Sequence, residues 1–111
     1  MVPPRQGLVG CRVRYHVEFV ALVLDYLEQL QGLTDEDRAA IVSNATEELS
    51  RDADRFLALY PLAHESLCFR YDYLHITDQA VYNFDFVVDA SHLEMGVVRV
   101  AYVECTTEPR P

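Results

Sequence analysis

The clearest run of alternating hydrophobic and polar positions lies between Leu67 and His75. Leu67, Phe69, Tyr71 and Tyr73 fall on one parity and Arg70 and Asp72 on the other. A period of two predicts a β-strand with one apolar face. Thr77 and Asp78 follow, and their side-chain oxygens favour a turn. Tyr82, Phe84, Phe86 and Val88 then alternate with Asn83, Asp85 and Val87, which predicts a second strand. Asp89 to Gly96 is polar and reads as a loop, and Val97 to Val103 is rich in β-branched residues that suit a pleated surface. This third strand has few charges, which places it inside the sheet. Short connections predict an antiparallel meander.

Upstream, Cys11, Val13, Tyr15, Val17 and Phe19 alternate with Arg12, Arg14, His16 and Glu18, a fourth strand that comes first in the chain. From Val20 the period changes. Val20, Val23, Leu24, Leu27 and Leu30 recur at helical spacing, and Gly32 stands where a C-terminal cap is expected. Thr34 begins the next helix as its cap, followed by Asp35, Glu36 and Asp37, whose charges suit the positive end of a helix dipole. Ile41, Val42, Ala45 and Leu49 form its buried stripe. Ser50 to Asp54 weakens the helix, Arg55 to Tyr60 reads as a separate turn, and Pro61 stops it. The predicted fold class is α+β in the order β-α-α-β-β-β. It is an antiparallel four-stranded sheet with a two-helix hairpin packed on one face. Residues 1–10 read as a flexible N-terminal tail, 11–105 as a single domain and 106–111 as a C-terminal tail.

A chain of 111 residues, half of them apolar, is long enough for one domain with a core that needs no disulfide. Its three cysteines, Cys11, Cys68 and Cys105, are widely spaced and odd in number, which fits reduced thiols in a cytoplasmic protein. No Cys/His cluster has metal-finger spacing, and no cofactor is expected. The N-terminus lacks the apolar core of a signal peptide, and Val17 to Leu30 is too short and too charged to span a membrane. The formal net charge is −9, and every one of the nine basic residues is an arginine. That balance opposes general affinity for nucleic acid and favours a basic partner.

Several stretches resemble the RelE/ParE toxin superfamily. Arg14-Tyr15-His16-Val17-Glu18-Phe19 resembles its opening strand, and Val81-Tyr82-Asn83-Phe84-Asp85-Phe86 its Tyr-Arg-apolar-apolar-Tyr strand. Val98-Arg99-Val100-Ala101-Tyr102 resembles its closing Leu-Arg-Val-Gly-His-Arg strand. Thr34-Asp35-Glu36-Asp37 and Asp52-Ala53-Asp54-Arg55-Phe56 resemble the start and the sequel of its second helix. The resemblance implies a toxin–antitoxin protein, either a ribosome-dependent mRNA endonuclease or a catalytically degenerate relative, with the ribosome, mRNA and an antitoxin as partners. The chain also departs from the pattern. The family's arginine after Tyr82 is Asn83 here, and its Gly-His-Arg is Ala101-Tyr102-Val103, so basic residues stay only at Arg70 and Arg99.

On these parities the open sheet face collects Arg12, Arg14, His16, Arg70, Asp72, Asn83, Asp85 and Arg99. Cleavage of RNA by its own 2′-hydroxyl needs a base, cations for the phosphate and an acid for the leaving oxygen. His16 suits acid or base work near neutral pH, and Arg70 and Arg99 suit a phosphate clamp. Tyr102 is a second acid or a stacking candidate, although its strand parity points it to the core. The opposing reading is a solvated sheet of Arg–carboxylate pairs, because Asp72 and Asp85 repel phosphate. Under that reading the chain is a non-catalytic acidic protein that engages a basic partner. A homodimer is compatible with either. His75 to Asp78 and His92 to Glu94 contain metal-ligand types but read as solvated turns. Tyr71, Tyr73, Tyr82, Phe84 and Phe86 read as core beneath the helices in preference to base-stacking platforms.

Overall fold

In a computed structural model, which describes residues 14–62 and 65–110, the fold is α+β, and the expected order of strand, two helices and a three-strand meander is interrupted by one short added strand. Strand β1 is His16–Phe19, followed by helix α1 (Ala21–Gln29) and helix α2 (Asp35–Leu59). Strands β2 (Pro61–Leu62), β3 (Glu65–Ile76), β4 (Ala80–Asp89) and β5 (Val97–Pro109) complete the chain.

The sheet differs from expectation in two ways. It has five strands in the order β1-β5-β4-β3-β2, and β1 runs parallel to β5. The β3-β4-β5 meander is antiparallel as predicted. The two helices carry the chain from β1 across to β2 at the opposite edge, and the meander then runs back until β5 meets β1, a pairing that no local pattern encodes. Strand β2 is two residues of sheet edge beside Phe69, too short for a period to register. Its Pro61 lacks an N–H and tolerates that edge. The proposed C-terminal tail is strand instead, since β5 continues to Pro109 opposite Ala80. Residues 1–10, and the Cys11 to Val13 start of the first predicted strand, lie outside the described residues.

Central strand β4 sets the core. Tyr82, Phe84, Phe86 and Val88 are all buried on one face. Neighbouring rings stack, at 6.4 Å for Tyr82 and Phe84 and 5.6 Å for Phe84 and Phe86. Val23 and Leu27 of α1 and Ile41, Ala45 and Leu49 of α2 cover them, together with Phe69, Val98 and Val100 from the flanking strands.

Helix α2 starts with a full capping box. Thr34 Oγ1 accepts from Asp37 N–H at 3.0 Å, and Asp37 Oδ2 accepts from Thr34 N–H at 3.0 Å. It kinks at Asp52, whose backbone (φ −126°, ψ 17°) is not helical, within the stretch predicted to be weak. Asp52 is 7% exposed and sits against the guanidinium groups of Arg51 and Arg55. Phe56 beyond the kink packs on Phe69 and Tyr71, whereas Tyr60 is exposed.

Gly32 works as a turn residue two positions beyond the actual cap, Leu30. Its φ is +86°, and a Cβ there would lie 2.4 Å from the Tyr82 hydroxyl, which donates to Gln31 O at 2.9 Å. The inter-helix turn is thus pressed against the sheet at one tyrosine. Gly32→Ala is expected to lower stability by about 1–3 kcal/mol, from left-handed backbone strain plus the collision. Adding Tyr82→Phe removes the colliding oxygen and returns part of that loss. Urea unfolding of both variants checks it, and an unchanged midpoint for Gly32→Ala contradicts it.

Candidate functional site

The face of the sheet away from the helices is open, and it receives all four candidate residues. His16 (β1), Arg70 (β3) and Arg99 (β5) arrive there on the predicted parities. Tyr102 arrives there against prediction. Opposite Val87 and Val88 of β4 stand Tyr102 and Val100, so Ala101 is the extra residue of a β-bulge. The bulge reverses parity along β5. Val98 and Val100 point into the core before it and Val103 after it, which turns Tyr102 outward at 48% exposure.

Register arranges the open face in rows. Asp72 stands opposite Asp85 and Asp85 opposite Glu104. Arg70 stands opposite Val87, and Val87 opposite Tyr102. Asp89 stands opposite Arg99, with Glu18 beside Arg99 on the far side. Arg70 and Arg99 therefore lie on strands separated by β4, two interstrand spacings of about 4.8 Å apart.

Every candidate is engaged by a carboxylate. Arg70 makes a two-pronged contact with Asp85 through Nε, at 3.2 Å, and Nη2. Arg99 donates from Nε and Nη2 to Glu18 Oε1, both at 3.3 Å. His16 Nε2 lies 3.6 Å from Glu18 Oε2, and the Tyr102 hydroxyl donates to Glu104 Oε2 at 3.1 Å. The bond to Asp85 and its charge hold the Arg70 proton more firmly than usual. The bond to Glu104 likewise raises the Tyr102 phenol above its ordinary value. A tyrosine held this way is a poorer proton donor to a leaving oxygen, and a paired arginine a poorer phosphate clamp. Arg12 lies outside the described residues, and Arg14 is exposed just before β1.

Between these rows lies a shallow groove of about 360 Å³ lined by Arg70, Asp72, Asn83, Asp85, Glu104 and Thr106. Three carboxylates to one guanidinium leave it net negative. Carboxylates directly opposite each other across strands repel, so this row is a cost to the sheet. Glu18 and Glu104 are the members that reasoning from sequence did not pair with the candidates. The signal for Glu104 was present, since Tyr102, Glu104, Thr106 and Glu108 alternate with Val103 and Cys105. No local signal links Glu18 to Arg99, which are 81 residues apart.

The residues set aside as metal-ligand types have partners of their own. His92 Nδ1 lies 3.1 Å from Ser91 Oγ, and His75 Nε2 lies 3.1 Å from Asp37 Oδ1. Among the described residues no group of three His, Cys, Asp or Glu side chains could hold a metal ion. The aromatic residues of β3 and β4 are on the covered face, as read from the sequence. Burial raises the Cys105 thiol, which opposes a reactive thiolate there. Among the described residues no helix is long and apolar enough to cross a membrane. No family model, curated protein or solved structure matches the chain.

The His75–Asp37 contact belongs to a polar seam along which α2 is fastened to β3. Tyr73 Oη accepts from Asn44 Nδ2 at 2.9 Å, and Tyr71 Oη donates to Glu48 Oε1 at 2.5 Å. Burial, then Glu48, hold the Tyr71 phenol far above its ordinary range. Asp37 serves both helix cap and seam, and its carboxyl is held below the ordinary value, first by the Thr34 backbone and then by His75. A depressed folded-state pKa gives stability that is complete above the unfolded value of about 4 and fades as pH falls through the folded value. Asp37→Asn is thus expected to melt lower than the parent at pH 7, with the gap closing in acid. Melting curves of both proteins from pH 7 to pH 2.5 check this, and a gap constant over that range contradicts it.

Proposed function

We propose that this chain is a non-catalytic acidic binding protein on a RelE/ParE-like scaffold, and that its open sheet face engages a basic segment of a protein partner. The observation that carries the reading is the pairing of each candidate catalytic side chain with a carboxylate. Arg70 is held by Asp85, Arg99 and His16 share Glu18, and Tyr102 is bound to Glu104. An RNA phosphate approaching Arg70 has to displace Asp85 and pass Asp72 and Glu104, all three repulsive. Arginine side chains of a partner meet the reverse field: the row Asp72-Asp85-Glu104 offers planar acceptors to guanidinium groups, a match suited to two-pronged bonds. The formal charge of −9 adds long-range attraction for such a partner.

One observation favours a second reading, a ribosome-dependent mRNA endonuclease of the RelE/ParE type. His16, Arg70, Arg99 and Tyr102 do come to a single face.

Two measurements separate the readings. In a cell-free translation reaction mapped by primer extension, the proposed function predicts intact message at high protein concentration. Cuts at ribosome-occupied codons that disappear with Arg70→Ala and Arg99→Ala establish the endonuclease instead. In parallel, a fluorescein-labelled nona-arginine peptide is titrated by anisotropy. Asp72→Asn/Asp85→Asn/Glu104→Gln is expected to weaken binding about tenfold or more, from three charge contacts of roughly 0.5 kcal/mol each. Removing three charges elsewhere, as Asp35→Asn/Glu36→Gln/Glu47→Gln, is expected to weaken it about threefold at most. Equal losses from the two triple variants would show that the open face is not the site.

A further inference from the structure

The edge of β5 presents a second surface, which adjoins the open face at Tyr102 and Glu104. Strand β5 has 13 residues, and β1 pairs only with Val97 to Val100. From Ala101 to Pro109, no described strand lies on the side of β5 away from β4. Two hydrogen bonds fix which groups point there. Arg110 N–H donates toward the β4 side, to Gln79 O at 3.0 Å, whereas Cys105 N–H donates outward to the Tyr26 hydroxyl at 3.0 Å. Alternation along an extended strand then turns the N–H groups of Val103 and Thr107 outward with that of Cys105.

Beside this edge runs a groove of about 240 Å³ between α1 and β5, lined by Leu22, Asp25, Tyr26, Gln29, Tyr102 and Val103. Leu22, Asp25, Tyr26 and Gln29 have the i, i+3, i+4, i+7 spacing of one stripe, with the buried Val23 beside it. Leu22 is 67% exposed within it. A row of outward N–H and C=O groups next to a wall in which Leu22, Tyr26 and Val103 supply apolar surface offers main-chain bonds and a slot for alternate side chains, the two needs of an added strand.

We infer that an extended segment of another protein, alternating apolar with Arg or Lys residues, adds as a strand to β5 between Ala101 and Pro109 and seats its apolar side chains against α1. Parity sets the pattern. Side chains of the added strand that lie beside Val103 and Cys105 face α1 and must be apolar. Those that lie beside Glu104 and Glu108, both exposed, face the acidic side and must be basic. Arg110, two residues beyond Glu108, is tied to Thr77 O at 3.0 Å. Charge also selects against a second copy of this chain, since pairing two β5 edges about Cys105 brings the Glu104 and Glu108 side chains of both copies together. The Tyr26 hydroxyl occupies the position of a strand carbonyl at Cys105 and yields it when the segment binds. This inference goes beyond the open-face reading, because it rests on the strand edge and its groove.

The test uses the whole protein, labelled with nitrogen-15, and two nine-residue peptides of alternating Arg and Val. In one of them the central Val is replaced by Pro, which keeps the charge and breaks the strand. The alternating peptide is expected to bind about tenfold more tightly than its Pro counterpart. It is also expected to slow amide exchange at Val103 and Thr107 by a similar factor. Thr107→Pro removes an outward donor and no bond to β4, so it should keep the sheet's amide spectrum and abolish the preference between peptides. Equal binding of the two peptides with unchanged exchange at Val103 and Thr107 overturns the inference and leaves only capture by charge. Slow exchange at those amides without peptide, together with a dimer in sedimentation, overturns it in favour of a self-interface.

Discussion

The four large side chains on the covered face of β4 are the constraint from which the rest of the fold follows. Tyr82, Phe84, Phe86 and Val88 must leave water together, and a single sheet cannot bury them without a second layer. The helical hairpin is that layer. Its position is fixed at one end by Gly32, which brings the inter-helix turn against Tyr82, and along one side by the polar seam from α2 to β3. The seam lies where burial fades toward the sheet edge, so Tyr71, Tyr73 and His75 each reach a polar partner on α2.

Covering one face leaves the other to water, and that second face carries the candidate residues. Its arginines are matched by acids from neighbouring strands, with acids left over in the row from Asp72 to Glu104. Like charges in register weaken a sheet, and the pairs around them contribute little at the surface. An arrangement that gives the fold so little is accounted for more readily by an external basic partner than by stability. The same one-sided construction exposes the end of β5. The first strand turns away into α1 after Phe19, so β5 continues past its only described neighbour on that side.

Much of this was legible in the chain itself. Strict alternation marked β3 and β4, a shift from a period of two to helical spacing at Val20 marked the passage from β1 to α1, and Thr34 with the acids after it marked the start of α2. Even the kink fell within Ser50 to Asp54, where the sequence weakens the helix. The candidate face was legible too, as the set of residues opposite in parity to the core. The partners of Arg70 and Arg99 were only half visible: Asp85 was in view as a carboxylate on the right face, whereas Glu18 was an anonymous outward residue until β1 was placed.

What the sequence determined by itself is what local forces determine: period, capping, turn chemistry and the sidedness of each strand over a few residues. Tertiary structure decided the rest. It laid β1 parallel to β5, because these strands are far apart in the chain and meet only when the helices and the meander close the sheet. It inserted the bulge at Ala101, which reconciles an inward Val100 with an inward Val103 and sends Tyr102 outward, because both valines must meet the same core. It also decided which charges touch, since a bond between residues 18 and 99 depends on strand order across the sheet, and strand order is a property of the packed layers rather than of any stretch of chain.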